Sequence, residues 1–185
     1  MYVLSIQIYL LIARIGRAAS LSRNTDTLNT MRYMYYYQTP VGKIGIAEEN
    51  GAITNLGFPT DPLPVTADLW ETPVLKRAAK QLTGYFAGGR HPFTVPLAPQ
   101  GTAFMQSVWA ELQKIPYGET RTYGEIARAL GRPNGARAVG MANNRNPVPI
   151  LIPCHRVIGR NGKLTGYRGG IVVKEKLLTL EGVLR

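Results

Sequence analysis

Apolar residues fall into short β-prone runs at the start of the recognisable pattern and recur at helical spacing after it. From Tyr33 to Phe58 the chain reads as a Tyr-rich strand, a turn at Thr39-Pro40-Val41-Gly42, a strand from Lys43 to Ala47, a turn at Glu49-Asn50-Gly51 and a strand from Ala52 to Phe58. Asn50-Gly51 is a strong hairpin signal, because both residues tolerate the positive φ of a primed turn. Three prolines between Pro59 and Pro64 break regular structure, and Val74 to Phe86 then predicts a helix stopped by Gly88-Gly89. The stretch from His91 to Gly101, with prolines at 92, 96 and 99, reads as a linker. Its end near Gly101 closes a small α/β unit. Beyond it, Phe104, Val108, Leu112 and Ile115 mark one face of a helix over Ala103 to Ile115.

Thr122 to Leu130 predicts another helix, with Thr122 as N-cap and Glu125 three residues on completing a capping box. Gly131-Arg132-Pro133-Asn134 ends it. A second helix runs from about Gly135 to Asn144, where Gly135, Ala136, Ala138, Gly140 and Ala142 let a neighbouring backbone or DNA come close. Two short helices joined by four residues form a helix-turn-helix pattern, which also occurs as a plain core hairpin. Arg137 is the long cationic side chain of that small-residue face. It can clamp a phosphate or fill the space of an extruded base, and a surface salt bridge is the bland alternative.

Charge changes this picture. The formal net charge is +11, and residues 101 to 185 carry 13 Lys/Arg against 5 acids, so the excess sits with the helix-turn-helix. A surface of that sign attracts polyanions, nucleic acid first among them. A hydrophobic fraction of 45% with 18% charged residues is that of a folded chain, not a disordered one. One cysteine excludes an internal disulfide, and with only His91 and His155 beside it a four-ligand Cys/His zinc cage is excluded too. This suits a reducing, cytoplasmic setting. The apolar stretch Tyr2 to Ile12 lacks a basic leader, is too short to span a bilayer and runs into Arg14 and Arg17. Residues 1–30 therefore read as a non-essential extension, with Met31 or Met34 as an alternative start and no membrane partner.

The most informative run is Asn146-Pro147-Val148-Pro149-Ile150-Leu151-Ile152-Pro153-Cys154-His155-Arg156-Val157. It predicts a buried aliphatic strand, stiffened by prolines, that ends on a thiol beside an imidazole. A thiol attacks as its thiolate, so it needs a base and positive surroundings, which His155 and Arg156 supply. On a strand those neighbours point to opposite faces, so a water or a bend at Pro153 would relay the proton. A carboxylate should orient the imidazole; of Glu175 and Glu181 downstream, Glu181 is preferred because it follows the helical run Val173 to Leu180. An inert core cysteine is the alternative.

Pro153-Cys154-His155-Arg156-Val157, with Asn146-Pro147 before it and Gly166-Tyr167, Gly169-Gly170 and Glu181 after it, resembles the active-site region of the 6-O-methylguanine-DNA methyltransferases, or methylated-DNA-protein-cysteine methyltransferases. The resemblance spans about residues 102 to 183. It implies an α/β chain: a small ribonuclease-H-like N-terminal α/β domain over 31–100, then a mostly helical, winged-helix-like domain over 101–185 that binds DNA through the helix-turn-helix and accepts the alkyl group. It implies Cys154 as nucleophile, His155 as water-mediated base, Glu181 orienting His155, and Asn146 bracing the cysteine turn. Tyr123 would assist the leaving guanine and rotate the phosphate. Arg137 would enter the base stack, on a DNA face that also holds Ala136, Gly140 and Asn144. Tyr167 would line the guanine pocket, with backbone groups around Val157 and Arg168 reading the base. Arg168 departs from family members that have a serine there, so only its backbone amide carries over.

The activity so implied is single-turnover, irreversible transfer of an alkyl group from 6-O-alkylguanine in double-stranded DNA to Cys154, with 4-O-alkylthymine left undecided. It would use no metal and no organic cofactor, and a monomer would suffice. One rival is a non-catalytic alkyl-lesion sensor or DNA-binding regulator, but such sensors replace the nucleophile. Another is a cysteine hydrolase, for which the sequence offers no further motif.

Overall fold

The computed structural model describes residues 31–59, 61 and 66–184. The extension over residues 1–30 and most of the proline break at 59–64 lie outside the described residues.

Three strands, β1 (Arg32–Thr39), β2 (Gly42–Glu49) and β3 (Ala52–Gly57), form an antiparallel meander, and β4 (Asp68–Leu69) adds in parallel to β1, giving the order β3-β2-β1-β4. Asn50 and Gly51 take φ of 53° and 80°, the two positive values that a primed hairpin turn requires. One helix, α1 (Pro73–Phe86), lies across this sheet. It starts at an N-cap, where Thr72 accepts from Leu75 N, followed by proline at its first position. Its Leu75, Ala78 and Leu82 close on Ile44, Ile46, Ile53 and Leu56 of β2 and β3, all at most 1% exposed.

The proline-rich linker is anchored, not a loose tether. Ile53 N donates to Pro96 O and Ala98 N donates to Ile53 O, each at 2.8 Å, so Leu97 bridges to Ile53 along the outer edge of β3. Proline removes an N–H but keeps its carbonyl, which is why one rung of pairing survives here. The next helix, α2, is shorter than expected, Ala103–Leu112, with Ile115 reaching the core from the turn after it. Trp109, fully buried, donates from Nε1 to Ala142 O at 2.9 Å and so pins α2 to the second helix of the helix-turn-helix.

That motif consists of α3 (Tyr123–Ala129) and α4 (Ala136–Asn144). Thr122 and Glu125 form the capping box that the sequence predicts. Gly131, at φ 68°, then stops α3: its N–H bonds to Arg128 O and that of Arg132 to Ala127 O, the paired C-terminal closure that favours glycine. A short parallel pair, β5 (Arg121–Thr122) with β6 (Val157–Ile158), places the start of α3 beside the segment just after Cys154. The last helix, α5 (Ile171–Leu180), carries Glu181 as its C-cap. The described residues of both parts share one buried cluster; Leu56 N also donates to Pro147 O at 2.8 Å, joining the sheet edge directly to the cysteine region.

Candidate active site and nucleic-acid interface

The segment from Asn146 to Val157 is not the strand that its aliphatic run predicts. Prolines at 147, 149 and 153 remove the donors a ladder needs, and the chain instead folds into a knot of tight turns. Asn146 ties it together: its Nδ2 donates to Ile152 O at 2.9 Å and its Oδ1 accepts from Val148 N at 3.0 Å. Ile150 sits at φ 73°, left-handed space that costs a β-branched residue of order 1–3 kcal/mol. Complete burial of that side chain offsets the strain. Cys154, His155 and Arg156 then form a single 3-10 turn, so the strand alternation expected to set Cys154 and His155 on opposite faces does not apply. Asn143 braces the same turn by donating to Cys154 O at 3.2 Å.

Behind the turn lies a buried acid-base network centred on Glu181. Its Oε1 accepts from His155 Nε2 at 2.8 Å, Tyr85 Oη at 2.8 Å and Arg156 Nη2 at 2.9 Å; its Oε2 accepts from Arg156 Nε at 2.9 Å and Gly118 N at 3.2 Å. Burial alone would raise this carboxyl, but the hydrogen bonds from His155 and Arg156 and the charge of Arg156 outweigh it and hold Glu181 down to about 2. A carboxylate only accepts, so the proton of the imidazole sits on Nε2 and the lone pair on Nδ1. Nδ1 is buried and has no hydrogen-bond partner among the described residues. Burial, against the pull of Glu181, keeps His155 below its ordinary value, so the ring is neutral at physiological pH and able to take a proton. Tyr85 is raised by burial first and by Glu181 second, and stays a donor.

Cys154 is 1% exposed, and burial pushes its thiol up to about 11; the Asn146 side chain, Lys174 and Arg168 pull the other way. At neutral pH a thiolate there costs about 5 kcal/mol, so the resting group is a thiol and must lose its proton during attack. Arg156 does not supply the positive surroundings expected of it, because its guanidinium is spent on Glu181 and on Ile115 O. That charge comes from Lys174 and Arg168.

On the outer surface a groove of about 950 Å³ is lined by Tyr123, Arg128, Ala136, Arg137, Gly140, Asn144 and Arg160, with Thr122, Gly124, Thr165 and Gly166 completing its walls. Arg137 is exposed. The ring of Tyr123 stands against Gly140, where an added Cβ would touch it at 3.7 Å, and Tyr123 Oη accepts from Thr165 Oγ1 at 3.0 Å. That bond leaves the phenol's own proton free to donate. Among the described residues, no three His, Cys, Asp or Glu side chains gather as a metal site, and no helix is long and apolar enough to cross a membrane.

Comparison with known proteins decides the family. Residues 31–99 match the family model for the ribonuclease-like domain of 6-O-methylguanine DNA methyltransferase, and residues 103–183 match that for its DNA binding domain. The chain belongs to this family. It is 50% identical over 154 residues to the methylated-DNA–protein-cysteine methyltransferase of Methanosarcina acetivorans, covering 80% of this chain and 99% of the relative. It is 46% identical over 160 residues to the constitutive enzyme of Bacillus subtilis, covering 83% and 97%. Among solved structures, the Mycobacterium tuberculosis OGT in complex with DNA matches with a TM-score of 0.76 at 46% identity, over 80% of this chain and 92% of that one. The fold of this methyltransferase-family chain is thus a ribonuclease-like α/β part followed by a helical DNA-binding part.

Within it, the residues singled out in the sequence fall into two sets. Cys154, His155, Glu181, Asn146, Tyr167 and Val157 are buried together, with Arg168 partly buried beside them; Tyr123, Ala136, Arg137, Gly140 and Asn144 line the groove. Glu175, the rival carboxylate, is exposed. Sequence reasoning missed Tyr85, Asn143 and Lys174. Tyr85 lies 96 residues from the Glu181 it bonds, and no local pattern announces such a contact. Lys174 did carry a signal: it occupies an inward position on α5, where a lysine breaks the apolar pattern. Arg128 and Arg160 were also missed as groove cations.

Proposed function

We propose that this chain repairs DNA by moving the alkyl group of 6-O-alkylguanine in a duplex onto Cys154, once and irreversibly. The observation that carries the proposal is the 2.8 Å hydrogen bond between Glu181 and the imidazole of His155, the residue after the nucleophile. Glu181 occupies the ring's Nε2, which leaves Nδ1 unpartnered, and the preceding residue in the same turn, Cys154, carries a thiol too buried to ionise unaided. Nδ1 takes the thiol proton, through a water, as the sulfur attacks the alkyl carbon in line. The carbon–oxygen bond breaks, its electron pair stays on the guanine oxygen, and a proton given by Tyr123 neutralises the departing base. The thioether product is stable, so each chain acts once.

Cys154 is not part of the groove wall, which is why the damaged nucleotide must leave the stack to reach it. Arg137, exposed on α4, fills the vacated space, while Arg128 and Arg160 hold phosphates. Tyr167 and the backbone at Val157 and Arg168 bound the guanine pocket. Residues 101–185 supply the groove and acceptor, residues 31–100 buttress them, and residues 1–30 are dispensable. The protein works as a monomer in the cytoplasm.

Intact-mass analysis after incubation with a duplex containing 6-O-methylguanine tests the reading. The expected product is one methyl group per chain, mapped to the peptide of Cys154. A mass that never changes refutes it. A duplex containing 4-O-methylthymine in parallel decides the second lesion.

A further inference from the structure

Lys174 is fully buried on α5, yet the alkyl-transfer mechanism gives it no task. Its Nζ donates to Val157 O at 2.5 Å and to Thr165 O at 3.3 Å. Among the described residues it has no carboxylate partner, although taking an ammonium out of water is costly unless an opposite charge compensates. The two carbonyls it holds are well placed. Val157 closes the turn of the nucleophile, and Thr165 is the residue whose hydroxyl donates to Tyr123. Lys174 therefore links the cysteine turn, the loop before α5 and the tyrosine of the groove through one cation.

We propose that Lys174 is a positioning residue for alkyl transfer: its ammonium fixes the Val157 and Thr165 carbonyls around the site and is the standing counter-charge for the thiolate that Cys154 becomes during attack. The inference deepens the alkyl-transfer reading and rests on it. Lys174 forms and breaks no covalent bond and keeps its proton throughout; the thiol proton goes to His155. The groups that act on Cys154 are Lys174 from α5, Tyr167 and Arg168 from the loop before it and Asn146 from the preceding turn, while His155 shares its turn. Of these, Lys174 is the buried cation, and Arg168 is already paired with Asp61 at 3.0 Å. Burial brings Lys174 down to about 8, with Cys154 acting to raise it, so the two groups sense each other.

The test is the pH dependence of single-turnover benzyl transfer from free 6-O-benzylguanine to Cys154, followed by intact mass, in the wild type, Lys174→Met and Lys174→Gln. Methionine fills the same space without charge, and such replacements of buried ions commonly keep the fold; glutamine retains a donor for the carbonyls. Both variants are expected to react about tenfold or more slowly at neutral pH, with the rise of rate displaced upward by about one pH unit. Folded variants with an unchanged pH profile overturn the inference. A wild type that accepts no benzyl group instead rejects the alkyl-transfer reading itself.

Discussion

At the residue scale the site is a chain of dependencies that starts at Glu181. This carboxylate fixes the tautomer of His155, fixes Arg156, and is itself held ionised by both. The same coupling sets the response to acid. Glu181 titrates from about 4.5 in the unfolded chain to about 2 in the folded one, so the stabilisation it lends is complete above about 4.5 and is lost as pH falls towards 2. At about 1.4 kcal/mol per unit it amounts to about 3 kcal/mol. His155 adds to the loss in the same direction, because below its unfolded value of 6.5 the unfolded chain binds the proton that the buried ring refuses. Urea midpoints should fall steadily from neutral pH to about pH 3, and Glu181→Gln should flatten the lower part of that curve while lowering the neutral-pH midpoint. At the nucleophile, Cys154→Ala is expected to abolish transfer to the protein while duplex binding in a gel-shift assay persists; transfer that survives would place the acceptor elsewhere.

At the scale of elements, the helix-turn-helix contributes by geometry more than by stability. Its capping box and glycine stop are local devices, so α3 and its end are legible from Thr122, Glu125 and Gly131 alone. The small-residue face of α4 with its one arginine is legible too, and it lines the basic groove. Arg137→Ala should slow repair of methylated duplex by about tenfold or more, the scale of one lost contact of about 1–3 kcal/mol, yet leave transfer from free benzylguanine unchanged. Equal losses on both substrates would remove Arg137 from any role in flipping. The cysteine turn is the element that sequence patterning misread. Its aliphatic content is that of a buried strand, but three prolines and a left-handed Ile150 turn the same burial into a compact knot.

At the scale of the molecule, the N-terminal part buttresses a site that the C-terminal part supplies. Tyr85 of α1 reaches Glu181, Asp61 pairs with Arg168, and the ring of Phe58 lies edge-on to Tyr167 with centroids 5.7 Å apart. Gly169 leaves room for that ring, since a Cβ there would come within 3.0 Å of it. These contacts begin downstream of residue 31, so removing residues 1–30 should leave both the transfer rate and the urea midpoint unchanged. An inactive or insoluble truncation would show that the extension packs on the fold.

The sequence by itself determined the hairpin and the capped helix of the helix-turn-helix, because each depends on neighbours a few residues apart, and the basic C-terminal half, because charge is read from composition. Only the tertiary structure decided which carboxylate meets the imidazole, which cations face the sulfur and how the proline-rich turn closes. Those are contacts between residues far apart in the chain, and they are selected by burial, where a charge must be met by hydrogen bonds, as Glu181 is by His155 and Arg156 and Lys174 is by two carbonyls.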